Sequence, residues 1–232
     1  MSSSWEDILR DATMQLEESY RLFLEKDSGY IPDKKNYLNA FKTLPRDTVK
    51  YILFGQDPYP RAESASGYAF IDANVQNIFS DTGLSKEVNR ATSLRNFVKM
   101  ALVARGDLSL DDLSQSAIAA IDKTKLISSI DALRENFEKN GVLLLNTALI
   151  FTDKKSSSRH VKAWRPFVKT LLASLERQHP KLILFGTHAK ALKKNLPLDF
   201  FETIELEHPY NHTFTGNQNA LDLFGPMQLL DK

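Results

Sequence analysis

Four short apolar runs interrupt an otherwise helical rhythm along this chain. Residues 49–54, 142–145, 182–185 and 203–206 show little polar alternation, the pattern of strands buried on both faces. Between them, residues 94–104, 127–138 and 167–177 place apolar side chains at helical spacing. Residues 5–26 put Trp5, Ile8, Leu9, Ala12, Leu16, Tyr20, Phe23 and Leu24 on one stripe and read as a single amphipathic helix. Pro166, just ahead of the 167–177 pattern, suits a first helical turn. Buried strands separated by helices predict a single-domain α/β fold, with a central, mainly parallel four-stranded sheet and helices on both faces. The domain spans 1–232, with an N-terminal helical part at 1–48. Residues 105–127 break the rhythm and read as a loop or short helical excursion.

Composition narrows the class. Apolar residues make up 42% and charged residues 25%, which is ordinary for a water-soluble globular protein. The apolar runs fall far short of the roughly 20 residues that span a bilayer, so no membrane association is expected. The start, Met1-Ser2-Ser3-Ser4-Trp5, lacks a basic segment followed by an apolar one, so an intracellular, cytoplasmic protein is expected. The absence of cysteine excludes disulfides, thiol catalysis and thiolate zinc sites. Net charge is only +1, yet basic residues gather at Lys154, Lys155, Arg159, Lys162 and Arg165, and again at Lys190, Lys193 and Lys194. Either cluster alone reads as a solvated face.

In open parallel sheets ligands sit beyond the carboxyl ends of the strands. The segments that follow the four runs are Gly55-Gln56-Asp57-Pro58-Tyr59-Pro60, Asn146-Thr147, Gly186-Thr187-His188-Ala189-Lys190 and Glu207-His208-Pro209-Tyr210-Asn211-His212. Singly, each has a plain structural reading. Asp57-Pro58 is a turn pair, Asn146 and Thr187 are helix-cap types, and His208 can be a bonded loop histidine. His208 and His212 stand four apart, but they flank Pro209 and have no third partner, so no metal site is expected. His160, His179 and His188 fall in no motif and read as surface residues. Together, the four segments gather a carboxylate, an amide and an imidazole at one sheet edge.

In their order these segments resemble the signature of family 1 uracil-DNA glycosylases. Gly55-Gln56-Asp57-Pro58-Tyr59 resembles the water-activating loop, and Gly67-Tyr68-Ala69-Phe70 the segment with the base-stacking phenylalanine. Leu143-Leu144-Leu145-Asn146-Thr147 is similar to the uracil-reading strand, and Gly186-Thr187-His188-Ala189 to the glycine-serine loop. His208-Pro209 opens a segment similar to the DNA-intercalating loop. Weaker similarity at residues 30–41 and Trp164 extends the resemblance over nearly the whole chain, with 105–127 as an excursion atypical of the family.

The resemblance implies hydrolysis of the bond between uracil and deoxyribose in DNA. It assigns catalysis to Asp57 and His208, substrate binding to Gln56, Tyr59, Phe70 and Asn146, and DNA contact to Ser93, Thr187, Tyr210, His212 and Thr213. No cofactor and no metal are implied. The partner is uracil-containing DNA, single- or double-stranded, met by a monomer in the cytoplasm, or at the nucleoid in a bacterium. Modest local positive charge suits an enzyme that must leave DNA after each turnover.

Three departures stand out. Pro60 replaces the family's usual histidine, Arg90-Ala91-Thr92-Ser93 replaces a proline-rich approach, and His208-Pro209-Tyr210-Asn211-His212-Thr213 replaces His-Pro-Ser-Pro-Leu-Ser. Tyr210 then stands for a backbone-contacting serine and His212 for the leucine wedge, with Phe214 as a second candidate wedge. The changes bear on DNA distortion more than on bond cleavage, and they leave one alternative: a DNA-binding or replication-accessory protein of this fold with weak or no catalysis.

Overall fold

All four apolar runs are strands, and their ends shift by no more than two residues from the pattern. The computed structural model describes residues 3–26 and 28–232, without the side chains of Ser3 and residues 188–190. Along the chain, α1 (Glu6–Met14) and α2 (Glu18–Glu25) precede β1 (Tyr51–Gly55). A short hairpin, β2 (Phe79–Ser80) and β3 (Gly83–Leu84), is followed by α3 (Lys86–Arg90), α4 (Thr92–Arg105), α5 (Gln115–Ala120) and α6 (Ile130–Lys139). Then come β4 (Val142–Asn146), α7 (Ser157–Leu175), β5 (Lys181–Phe185), α8 (His188–Asn195), β6 (Thr203–Leu206) and α9 (Gln218–Phe224). The four long strands form one sheet in the order β4-β1-β5-β6, with β1 parallel to both neighbours. The α/β class and its parallel four-stranded sheet are as the pattern predicts.

The chain forms two compact units, residues 1–72 with 141–205 and residues 73–140 with 206–232. In the first, Ile52, Phe54, Leu143, Leu145, Leu182 and Leu184 project into a core shared with Leu9 and Ala12 of α1 and Trp164, Phe167 and Leu171 of α7. The alternating residues Leu53, Leu144 and Ile183 are buried as well, which explains why these strands lack polar alternation. In the second unit, Phe97 of α4 packs its ring against Phe137, Phe214 and Phe224 at centroid distances of 5.6, 6.2 and 5.0 Å. The 105–127 excursion contains α5, whose Gln115 side chain accepts the Leu84 N–H at 2.8 Å and ties it to the hairpin.

Three expectations need correction. The 5–26 helix is two helices: Gln15 and Leu16 close tight bonds to Ala12 and Thr13, and extended Glu17 restarts the chain as α2. Leu16 stays buried, so the break preserves the stripe and leaves no trace in the pattern. Pro166 does not open a helix but lies inside α7, which begins at Ser157. A mid-helix proline costs about 3 kcal/mol. Burying Trp164, Phe167, Val168, Leu171 and Leu172, at about 1.5–3 kcal/mol for each such side chain, outweighs it. Finally, His160 is buried rather than on the surface, with Nδ1 bonded to the Tyr20 hydroxyl at 2.7 Å and Nε2 to Thr152 Oγ1 at 2.9 Å. His179 is exposed as expected, and the side chain of His188 lies outside the described residues. Among the described residues no helix is long and apolar enough to cross a membrane.

Candidate active site

The register of β1 and β4 sets Gly55 directly opposite Asn146 at the carboxyl ends of adjacent strands. A Cβ on Gly55 would stand 2.1 Å from Asn146 Oδ1, so only glycine leaves room for this amide. Asn146 is buried, and no described residue hydrogen-bonds its side chain. The two turns beyond the strands are sewn together: Thr147 N–H donates to Gly55 O at 3.0 Å, Ala148 N–H to Gln56 O at 2.9 Å, and the Thr147 hydroxyl to Gln56 O at 2.7 Å. The position of Asp57 relative to Asn146 is therefore fixed by backbone bonds.

Phe70 follows in a backbone conformation that side chains rarely adopt, with φ of +69°. Such a conformation costs about 1–3 kcal/mol and persists only where neighbours impose it. Here Ala69 N–H donates to Leu144 O at 3.0 Å, the Ser66 hydroxyl to Ile71 O at 2.8 Å, and the Tyr59 hydroxyl to Phe70 O at 3.3 Å. Gly67, also at positive φ, lies where a Cβ would meet Asn36 O at 2.0 Å. The Phe70 ring is half-buried, 6.3 Å from the Phe185 ring. Burial, with the Asp72 charge adding to it, pushes the Tyr59 phenol well above its ordinary range, so it stays protonated.

Asp57 is half-buried, and its Oδ2 accepts a hydrogen bond from the Ser157 hydroxyl at the start of α7. Ser157 Oγ in turn accepts from Gln56 Nε2 at 3.2 Å. The exposed cations Lys154, Lys155 and Arg159 flank this helix start. Burial and the Arg159 charge hold the His160 imidazole below its ordinary pKa, partly opposed by Asp153 and Asp57. Thr187 is exposed at the residue just before α8 and makes no capping bond with its side chain.

The second unit holds the remaining candidates. His208 is exposed, and its Nδ1 accepts the Tyr210 N–H at 3.0 Å, which in the neutral ring leaves the proton on Nε2. Partial burial of the ring holds its pKa below the ordinary value. The loop backbone is clamped by buried Asn96 of α4, whose Nδ2 donates to the carbonyls of Pro209, Tyr210 and Asn211 at 2.8, 3.2 and 3.1 Å. Tyr210 is 67% exposed, and His212 is exposed too. The Thr213 hydroxyl donates to Glu207, so its proton is already engaged. Ser93 is half-buried in the first turn of α4. Phe214 is 0% exposed against Phe97, which removes it as a candidate wedge. Among the described residues no three His, Asp or Glu side chains form a cluster that could hold a metal ion.

The family model of the Uracil DNA glycosylase superfamily matches residues 41–224, from before β1 to the end of α9. This chain belongs to that superfamily. Within it, the chain is 29% identical to the uracil-DNA glycosylase of Fusobacterium nucleatum over 218 residues, covering 90% of this chain and 81% of that protein. The uracil-DNA glycosylase of Francisella tularensis subsp. novicida is 28% identical over 225 residues, covering 94% and 88%. The wild-type UNG crystal structure from Nitratifractor salsuginis superposes with a TM-score of 0.98 at 58% identity, covering all of this chain and 93% of that one. The mimivirus uracil-DNA glycosylase shares the fold, with a TM-score of 0.59 at 19% identity over 90% of this chain and 69% of that one.

Several features of these two units were not evident in the sequence. Ser157 sits 100 residues from Asp57, inside the run Ser156-Ser157-Ser158, which reads only as a helix start. Asn96 lies among apolar residues of α4, and a polar residue on a buried helical stripe was the one signal that could have flagged it. The strain at Phe70 has no sequence signal, because phenylalanine is not a residue that marks positive φ.

Proposed function

We propose that this chain is a monofunctional uracil-DNA glycosylase that hydrolyses the N-glycosidic bond of deoxyuridine in DNA, releasing uracil and leaving an abasic site. Its family and its relatives support uracil excision, and none supports the alternative of a fold without catalysis. The observation that carries the residue assignment is the coupling of Gly55–Asp57 to Asn146–Ala148, which holds a carboxylate and a buried amide at neighbouring strand ends.

As the N1–C1′ bond breaks, positive charge grows on the sugar and negative charge on uracil. Ionised Asp57 stabilises the sugar and positions the water, whose oxygen bonds to C1′ as the bond's electron pair leaves with the base, while the proton the water loses is taken up by the Asp57 carboxylate. Neutral His208 donates from Nε2 to uracil O2 and stabilises the departing anion. Asn146 presents both a donor and an acceptor to N3–H and O4. Cytosine reverses that pattern, leaving buried groups unpaired at about 1–3 kcal/mol each. Phe70 stacks on the extruded base, Tyr59 crowds C5, and Gln56 lines the pocket. Ser93 and Thr187 contact the DNA backbone, and Tyr210, His212 and Thr213 lie on the loop that meets the gap left by the flipped nucleotide. The protein acts as a monomer in the cytoplasm, on single- or double-stranded DNA.

The test is uracil release from a labelled oligonucleotide, with chelator present. Release is expected to persist in the wild type and to fall about 10²–10³-fold in Asp57→Asn while DNA binding survives. Full activity in Asp57→Asn, or abolition of wild-type activity by the chelator, overturns the reading.

A further inference from the structure

Asp57 lies in a turn with few means of holding it. Pro58 and Pro60 on either side of Tyr59 have no N–H, and the Tyr59 hydroxyl is directed to Phe70 O. A carboxylate on a free side chain rotates, so its two oxygens exchange places and the water-holding oxygen is not fixed. The one described side chain that donates to Asp57 comes from the far end of a separate segment. Ser157 gives its hydroxyl proton to Oδ2 and accepts from Gln56 Nε2 at 3.2 Å, so both of its roles are set and its rotor is locked. It is itself buried, at 8% exposure, in the first turn of the longest helix of the unit. Asp57 Oδ1 accepts no hydrogen bond from a described residue.

We propose that Ser157 is a positioning residue for the glycosylase reaction: by fixing Asp57 Oδ2 it leaves Oδ1 as the oxygen that holds the attacking water, with Gln56 setting the direction of the serine proton. The inference rests on the reading of Asp57 as the catalytic carboxylate. It divides the work of the two oxygens, one anchored to the fold and one given to chemistry. Ser157 thus acts through Asp57 and touches neither base nor sugar.

The experiment measures single-turnover uracil release and substrate affinity for the wild type, Ser157→Ala, Asp57→Ala and the double variant. Misplacing a reacting group by about 1 Å can cost about 10²-fold in rate, so Ser157→Ala is expected to slow the chemical step about 10- to 100-fold with unchanged affinity for uracil-containing DNA. In the Asp57→Ala background there is no carboxylate to hold, and adding Ser157→Ala is expected to change the residual rate less than about twofold, as coupled sites require. A merely structural serine would instead lower both backgrounds by the same factor, together with the melting temperature, and that result overturns the proposal. A wild-type rate in Ser157→Ala beside a collapse in Asp57→Ala sinks the positioning role alone. A wild-type rate in Asp57→Ala sinks the reading of Asp57 on which it rests.

Discussion

The segments after β1 and β4 in the first unit and the 207–213 loop of the second are both held by hydrogen bonds, but they are held differently. In the first, the candidate side chains take part in the packing and bonding directly. Asn146 is buried against Gly55, Tyr59 and Phe70 are joined through a carbonyl, and Asp57 is bonded to Ser157. In the second, Asn96 clamps three successive backbone carbonyls while Tyr210 and His212 project into solvent. The difference teaches how the two tasks tolerate change. On the proposed function, discriminating uracil demands complementary polar groups at fixed separations, and the residues that resemble the family stand in the first unit. Meeting a deformable duplex demands a rigid platform, and the side chains mounted on it depart from the family's loop while the platform remains ordered.

The largest effects within this contrast belong to base choice. Asn146→Asp replaces the amide's donor with an acceptor, so uracil O4 then faces another acceptor while N3–H keeps its partner. Uracil release is expected to fall about 10²-fold or more, with cytosine gaining relative to uracil. Tyr59→Ala opens space at C5 and is expected to admit thymine. Both are read by base release from matched uracil, thymine and cytosine oligonucleotides. An unchanged substrate ranking in both variants would mean that the pocket is formed elsewhere.

How far the sequence revealed this depends on what each feature needs. Strands buried on both faces advertise themselves, so β1, β4, β5 and β6 were legible from apolar runs alone. The residues proposed to touch substrate come from five short motifs that stand in the family's order. Features created by tertiary contact were not legible. His160 reads as a surface residue until Tyr20 and Thr152 are found on its two nitrogens, and the proline in α7 reads as a start because its cost is offset by burial that no local pattern displays. Ser157 belongs to the same class, since nothing local links a helix start to an aspartate 100 residues away.

A smaller effect concerns pH. His208 and His160 both have folded pKa values below the ordinary 6.5. As pH falls from that value, the unfolded chain takes up protons that the folded chain refuses, so stability is full above 6.5 and declines toward the folded values. Activity follows a separate route. Protonated His208 still donates from Nε2, but its Nδ1 can no longer accept the Tyr210 N–H, so the bond that orients the ring on the loop is lost. The acid limb of the excision rate is therefore expected below pH 6.5, and His208→Gln is expected to flatten it at a lower plateau. Thermal melts and rates across the same pH series check both parts, and an acid limb that survives His208→Gln assigns it to another group.

The smallest expected effect is also the one that best separates the two regions. A flipped nucleotide leaves a gap in the duplex, and unstacking costs a few kcal/mol per step, offset by side-chain contacts inside the opened stack. Phe214 cannot supply them because it is in the core of its unit. His212 stands at the wedge position but is polar, while Tyr210, at 67% exposure, offers the loop's one aromatic face in solvent. Aromatic stacking on a base is worth about 1–3 kcal/mol; at the low end, about 1 kcal/mol for a ring exposed in the free protein, Tyr210→Ala is expected to lower duplex excision about fivefold. Single strands, whose bases are already unpaired, need no filler and are expected to be cleaved at the wild-type rate. His212→Leu adds an apolar group at the same rim and is expected to raise the duplex rate selectively, by a smaller factor. Excision from single strands, U·A duplexes and U·G duplexes measures both. A Tyr210→Ala variant that loses single-strand and duplex activity equally would place Tyr210 in the pocket rather than at the gap. A His212→Leu variant with an unchanged duplex-to-single-strand ratio would show that position 212 stays outside the stack, leaving the gap to Tyr210 on the backbone that Asn96 holds.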